Sequence, residues 1–247
     1  MKVAILECDD VLEKFQPQFG HYRDMIRRMF LRSDVAADPL RFADFTCRQG
    51  HYPEDIDSYD LYITTGSKAS VYEDTPWIAQ LIHFVRQLDR REKKLIGICF
   101  GHQVIAMARQ GMVEKSARGW GIGVAVNRVV ATPAWMHETK DHLNIIVSHQ
   151  DQITTLPEDA LVIAGSDFCP FFMVQWHDHF LSIQGHPEWN PAYARTLINE
   201  RRAHFTPERI ATALESLDMQ PDNELFARWI LDFVGYSNPK NIPPPQG

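Results

Sequence analysis

The segment Gly97-Ile98-Cys99-Phe100-Gly101-His102-Gln103 sets one cysteine between two glycines, directly after a short apolar run. The spacing G-x-C-x-G is that of a nucleophile elbow: a sharp turn from strand to helix holds its central residue in a strained backbone conformation, and the flanking glycines let strand and helix approach closely. A helix beginning near His102 would present free N–H groups and the positive end of its dipole, and both lower a thiol pKa. The N–H of Phe100 can point at a developing oxyanion. The competing reading of the same five residues is a cysteine packed in the core between glycines.

A thiol nucleophile needs a base, and the base needs a group to orient it. Of the eleven histidines, His186 has the matching context: in "LSIQGHPEW" an apolar strand ends at Gly185, and Glu188 follows two residues after the histidine. A strand end on the same carboxyl edge of the sheet is a rigid mount for a base, and Glu188 could accept the second ring N–H. Taken by itself, the same stretch reads as a turn histidine beside an exposed glutamate. His177 and His179 in "QWHDHF" stand two apart, as a metal pair on one strand face could, but no third ligand is near in sequence and a polar hairpin turn is the simpler reading. No metal and no cofactor is therefore expected. His102 reads as a packing or hydrogen-bonding residue.

The remaining cysteines, at 8, 47 and 169, are too few and scattered for a disulfide framework, and no CxxC pair suggests zinc. Cys8 and Cys169 lie in or beside apolar runs, as small buried hydrophobes do.

The elements that must position Cys99 and His186 are legible as patterns. "KVAILE" (2–7) reads as a buried first strand, followed by a helix over Phe19–Leu31. "LRFADFT" and "YDLYITTG" read as the second and third strands. Thr75 as cap and Pro76 at the first helical position open a helix through "PWIAQLIHFVRQLDRR", and "KKLIGI" is the fourth strand. Beyond residue 110 the pattern changes to short strands, "GIGVAVNRVVAT", "LNIIVSH", "ALVIAGS", "FFMVQW" and "FLSIQGH". Helices return at Pro191–Ala203, Pro207–Leu217 and Asn223–Val234. This order predicts an α/β fold: an open, mostly parallel sheet with helices on both faces. Neither repeats nor linker-like stretches interrupt it, so one domain is expected over residues 1–240, with a frayed or extended proline-rich tail in "SNPKNIPPPQG".

The 247 residues are 45% hydrophobic, enough for a full core. The net charge of −7 argues against a nucleic-acid surface. Without a long apolar run, neither a membrane span nor a secretory signal is expected, and a cytoplasmic location is the reading.

Four segments together resemble the class I glutamine amidotransferases of the cysteine–histidine–glutamate type: "ITTGSKASVYED" (63–74), "GICFGHQ" (97–103), "VSHQDQI" (147–153) and "GHPEW" (185–189). They occur in the family's order, and the third is similar to the branch related to GMP synthase. The resemblance implies a flavodoxin-like sheet with the site at its carboxyl edge. It implies Cys99 as nucleophile, His186 as base and acid, Glu188 as orienter, and the backbone N–H groups of Gly66 and Phe100 as oxyanion donors. Gln103, Ser148 and His149 would hold the amino-acid end of the substrate. The implied chemistry is attack on a γ-glutamyl carbonyl, a γ-glutamyl thioester, and release of glutamate and ammonia.

Neither a pyrophosphatase loop nor a G-x-x-x-x-G-K-[ST] motif is present to use that ammonia. Either a separate synthetase subunit receives it, or the chain hydrolyses γ-glutamyl bonds in its own right. The stand-alone GMP-synthase-like group, which includes γ-glutamyl peptidases, is the match. Glutamine hydrolysis is the first expectation and γ-glutamyl peptide or conjugate cleavage the second. A non-catalytic binding or regulatory module is the reading from another class.

Overall fold

The computed structural model describes residues 1–32 and 40–236. The expectation for the tail at 237–247 falls outside them.

Strand β1 (Lys2–Glu7) alternates its side chains between two cores, and that alternation explains the layering. Val3 and Ile5 point to one face, where helices α2 (Tyr22–Arg32) and α7 (Asn223–Phe233) lie. Ala4 and Leu6 point to the other, covered by α3 (Pro76–Arg90) and α4 (Phe100–Ala108). β2 (Arg41–Thr46), β3 (Leu61–Thr64) and β4 (Lys94–Ile98) repeat the same alternation.

The order across the large sheet is β2-β1-β3-β4-β11-β10-β9-β6-β7, where β6 is Gly121–Val129, β7 His142–His149, β9 Ala160–Gly165, β10 Met173–Trp176 and β11 Phe180–Ile183. The pairs from β2 to β11 are parallel. From β11 through β10, β9, β6 and β7 they are antiparallel. The chain is thus an α/β protein built on one large mixed sheet. β4 and β11 are parallel neighbours, so their carboxyl ends emerge side by side.

Several boundaries differ from the sequence reading. Gly20, at φ 76°, ends a short helix α1 (Gln16–Phe19) that the sequence did not suggest, so the helix expected over Phe19–Leu31 starts only at Tyr22 as α2, and Asp24 accepts the His21 N–H at its start. Thr75 holds the cap position of α3, but its hydroxyl makes no cap bond. The helix after the cysteine starts at Phe100, not near His102. Strands β5 (Met112–Lys115) and β8 (Asp151–Thr155), unread in the sequence, form a separate two-stranded sheet. α5 (Pro191–Glu200) ends before Ala203, and α6 covers Pro207–Ser216.

Candidate active site

Cys99 is the residue between β4 and α4, with φ 50° and ψ −96°. A non-glycine residue tolerates that conformation only where its surroundings impose it. Here the neighbouring glycines do. A Cβ at Gly97 would lie 2.8 Å from the Gly101 carbonyl oxygen, and one at Gly101 would overlap the Thr64 hydroxyl. Strand and helix therefore pass closer than any side chain allows, and Cys99 is forced out at the turn. The elbow expected from G-x-C-x-G is present.

His186 follows the end of β11. Its backbone N–H donates to the Ile146 carbonyl at 2.7 Å, and its Nδ1 bonds Glu188 Oε1 at 2.8 Å. That bond leaves Nε2 for another partner, and Cys99 lines the same cavity as the ring, both of them beside Gly66. The ring also stacks on Trp189, with centroids 3.6 Å apart and planes 10° from parallel. Burial by itself would lower the His186 pKa. The negative charges of the Cys99 thiolate and then Glu188 outweigh it and push the pKa up to about 10. The arrangement thus favours the imidazolium form of His186.

Burial pushes the Cys8 thiol well up and the Cys169 thiol up to about 12, in keeping with the inert role expected of both. His102 is buried against Ser182, its Nδ1 2.8 Å from the hydroxyl, and burial pushes its pKa down to about 3. His177 and His179 make the turn of the β10–β11 hairpin, at the opposite end of β11 from His186. Each is paired with a different aspartate, Asp159 and Asp89, at 2.7 Å. Among the described residues no group of three His, Cys, Asp or Glu side chains suits a metal ion.

Gly66, Cys99, Phe100, Gln103, Ser148, His149 and His186 all line one cavity of about 320 Å³, with Glu188 behind the imidazole. Gly66 touches both reactive groups: a Cβ there would come 2.7 Å from His186 Cε1 and 3.6 Å from Cys99 Cβ. Among the described residues neither the Gly66 nor the Phe100 N–H has a hydrogen-bond partner. The Phe100 ring faces away from the cavity and packs on Trp77.

The amino-acid-end residues are more committed than the sequence implied. Gln103 Nε2 donates to the Asp151 carbonyl at 3.0 Å and to Gln184 Oε1 at 3.2 Å, so its two N–H groups hold the wall together. His149 Nδ1 lies 3.1 Å from the Asp151 carbonyl, and burial pushes its pKa down to about 4, so the ring is neutral.

Three residues escaped the sequence reading. Gln184 aims Nε2 at Cys99 Sγ from 3.6 Å. Trp189 stacks on the imidazole, and Arg201 reaches the cavity from the end of α5. Gln184 and Trp189 lie inside "LSIQGHPEW", where flanking positions could have pointed to them. Arg201 had no signal.

A cysteine on a strand-to-helix elbow, facing a histidine held by a carboxylate, defines the cysteine-type amidohydrolases of the α/β class. The family model for glutamine amidotransferase class-I matches residues 44–203, and the chain belongs to that family. It is similar to γ-glutamyl peptidase 4 of Arabidopsis thaliana, 37% identical over 179 residues, covering 70% of this chain and 69% of that one. It is also similar to γ-glutamyl peptidase 2 of the same plant, 33% identical over 215 residues and 85% of each chain. A glutamine amidotransferase from Thermotoga maritima shares the fold, with a TM-score of 0.75 over 94% of this chain and 97% of that one, at 18% identity. Among the described residues no helix is long and apolar enough to cross a membrane.

Proposed function

We propose that this chain hydrolyses γ-glutamyl amide bonds through a thioester on Cys99, with γ-glutamyl peptides or conjugates as substrates. The observation that carries the reading is the Cys99–His186–Glu188 arrangement, complete within one chain. The Cys99 thiolate attacks the γ-carbonyl and a C–S bond forms. The oxyanion turns toward the N–H groups of Gly66 and Phe100, a contribution of about 3–4 kcal/mol per well-placed donor. The His186 imidazolium gives its Nε2 proton to the leaving nitrogen as the C–N bond breaks. Water, deprotonated by the now neutral imidazole, attacks the thioester; the C–S bond breaks and glutamate leaves. Glu188 holds the ring throughout and keeps the proton on Nδ1.

Likeness to γ-glutamyl peptidases over most of the chain moves peptide cleavage ahead of glutamine hydrolysis, reversing the order of the sequence reading. Glutamine with release of ammonia, taken up by a separate synthetase subunit, is the second reading, favoured by the family model. In both, residues 1–240 act as one domain, in the cytoplasm, without a cofactor or metal.

The test is release of glutamate by the purified chain from γ-glutamyl dipeptides, glutathione and glutamine, without ATP or magnesium, with Cys99→Ala as blank. Glutamate release from a peptide supports the first reading. Silence until cell extract is added favours the second. Failure of Cys99 to react with a thiol-alkylating glutamine analogue favours a non-catalytic module.

A further inference from the structure

We infer that Arg201 is the carboxylate anchor of the site: its guanidinium binds the α-carboxylate of the γ-glutamyl group and so decides which amides are accepted. The inference rests on the γ-glutamyl reading above and names the part of the substrate that reading leaves unheld.

Arg201 follows the last residue of α5 and lines the same cavity as Cys99 and His186. Among the described residues its guanidinium makes one hydrogen bond, from Nη1 to Ser148 Oγ at 3.4 Å, and no carboxylate partners it. The acids that share the cavity are already engaged. Asp9 takes Arg48 at 2.9 Å, and Asp10 takes His21 at 2.5 Å. Asp151 accepts the hydroxyls of Ser70 and Tyr72. The cavity therefore presents a guanidinium with open donors and no internal anion to fill them. A planar fork of N–H groups is suited to a carboxylate.

The position selects which carboxylate. Ser148 is the penultimate residue of β7, next to His149, on the wall that Gln103 ties together through Asp151. A γ-glutamyl chain with its carbonyl carbon at Cys99 and its body along that wall brings its α-carboxylate toward Ser148. The simpler alternative is that Arg201 only complements the carbonyl end of α5. That role would make the residue indifferent to the substrate's charge, and the two can be separated.

The experiment compares Arg201→Gln and Arg201→Lys with wild type on four compounds: glutamine, glutamine α-amide, a γ-glutamyl dipeptide, and the same dipeptide amidated at its C-terminal carboxylate. Wild type should prefer glutamine over its α-amide by about 10- to 100-fold in kcat/KM, the scale of one charge-assisted hydrogen-bonded contact. In Arg201→Gln that preference should fall to within about threefold, mostly through KM, with partial recovery in Arg201→Lys. Cys99 alkylation by iodoacetamide should proceed at the wild-type rate in both variants, which separates a binding loss from a collapsed site. Retention of the wild-type preference in Arg201→Gln overturns the assignment. So does loss of discrimination only between the dipeptide and its C-terminal amide, which would put Arg201 on the leaving group. A wild type that hydrolyses none of the four compounds overturns the γ-glutamyl reading itself, and the Arg201 assignment with it.

Discussion

The His186 imidazole lies face to face with the Trp189 indole, at a centroid distance of 3.6 Å and an interplanar angle of 10°. The contact fixes a plane that the Glu188 hydrogen bond by itself leaves free to rotate, and an aromatic face attracts the imidazolium form. Trp189 is in turn packed edge-on by Tyr193, so the ring that supports the imidazole is itself supported.

Replacing Trp189 by phenylalanine should therefore keep most activity, whereas Trp189→Leu should lower kcat by about tenfold or more, since small misplacements of a catalytic group are costly. Steady-state kinetics on folded variants, checked by circular dichroism, decide this. Equal activity in the leucine variant would reduce the stack to packing.

Cys99→Ala should abolish hydrolysis and leave the fold intact, because alanine replaces the thiol without filling new space. Turnover within tenfold of wild type would sink the covalent mechanism. Iodoacetamide at mildly acid pH should label Cys99 before Cys8 or Cys169, whose thiols burial keeps protonated. Peptide mapping that finds either of those two labelled first would contradict the assignment.

Glu188→Gln should lose less activity than His186→Ala, because the carboxylate orients the ring but does not move the proton to substrate. Equal or reversed losses in folded variants would mean the roles are misassigned.

The pH behaviour follows from the raised His186 pKa of about 10. A pKa raised on folding means that the folded state holds the proton more tightly. The resulting stabilisation is full below the unfolded value of 6.5, declines above it, and is gone once pH passes about 10. Activity should fall as pH approaches 10 and the imidazolium is lost. Removing the thiolate in Cys99→Ala should lower the His186 pKa, read from its imidazole resonances by NMR. An unchanged titration would show that the thiolate is not the main charge holding the proton.

Two glycine substitutions should separate chemistry from stability. Gly101→Ala drives a Cβ into Thr64 and should destabilise the fold by about 3 kcal/mol. Gly66→Ala presses on the edge of the His186 ring and should cost about 100-fold in activity with a smaller loss of stability. Thermal melts alongside kinetics test both. A Gly66→Ala enzyme with full activity would mean that the imidazole has room to move.

The strand-to-helix turn at Cys99 was legible in the sequence because its physics is local. Five residues, Gly97 to Gly101, dictate the close strand–helix crossing that expels Cys99, and His186 and Glu188 are two positions apart in one segment. The strands feeding them showed as apolar runs because β4 and β11 are buried on both faces. The rest depended on contacts between distant segments. The sequence gives no sign that β11 pairs with β4, because that pairing places residues 180–183 against 95–98, and only it puts His186 beside Cys99. β5 and β8 were missed because each is short and takes its stability from the other. Arg201 was invisible for the same reason. An arginine at a helix end is unremarkable until tertiary folding carries that end to Ser148 and gathers the cavity's carboxylates onto other partners. Local sterics, written in residue type and spacing, determined the turn at Cys99; the long-range packing of β7 and α5 decided which side chains, Ser148 and Arg201 among them, share its cavity.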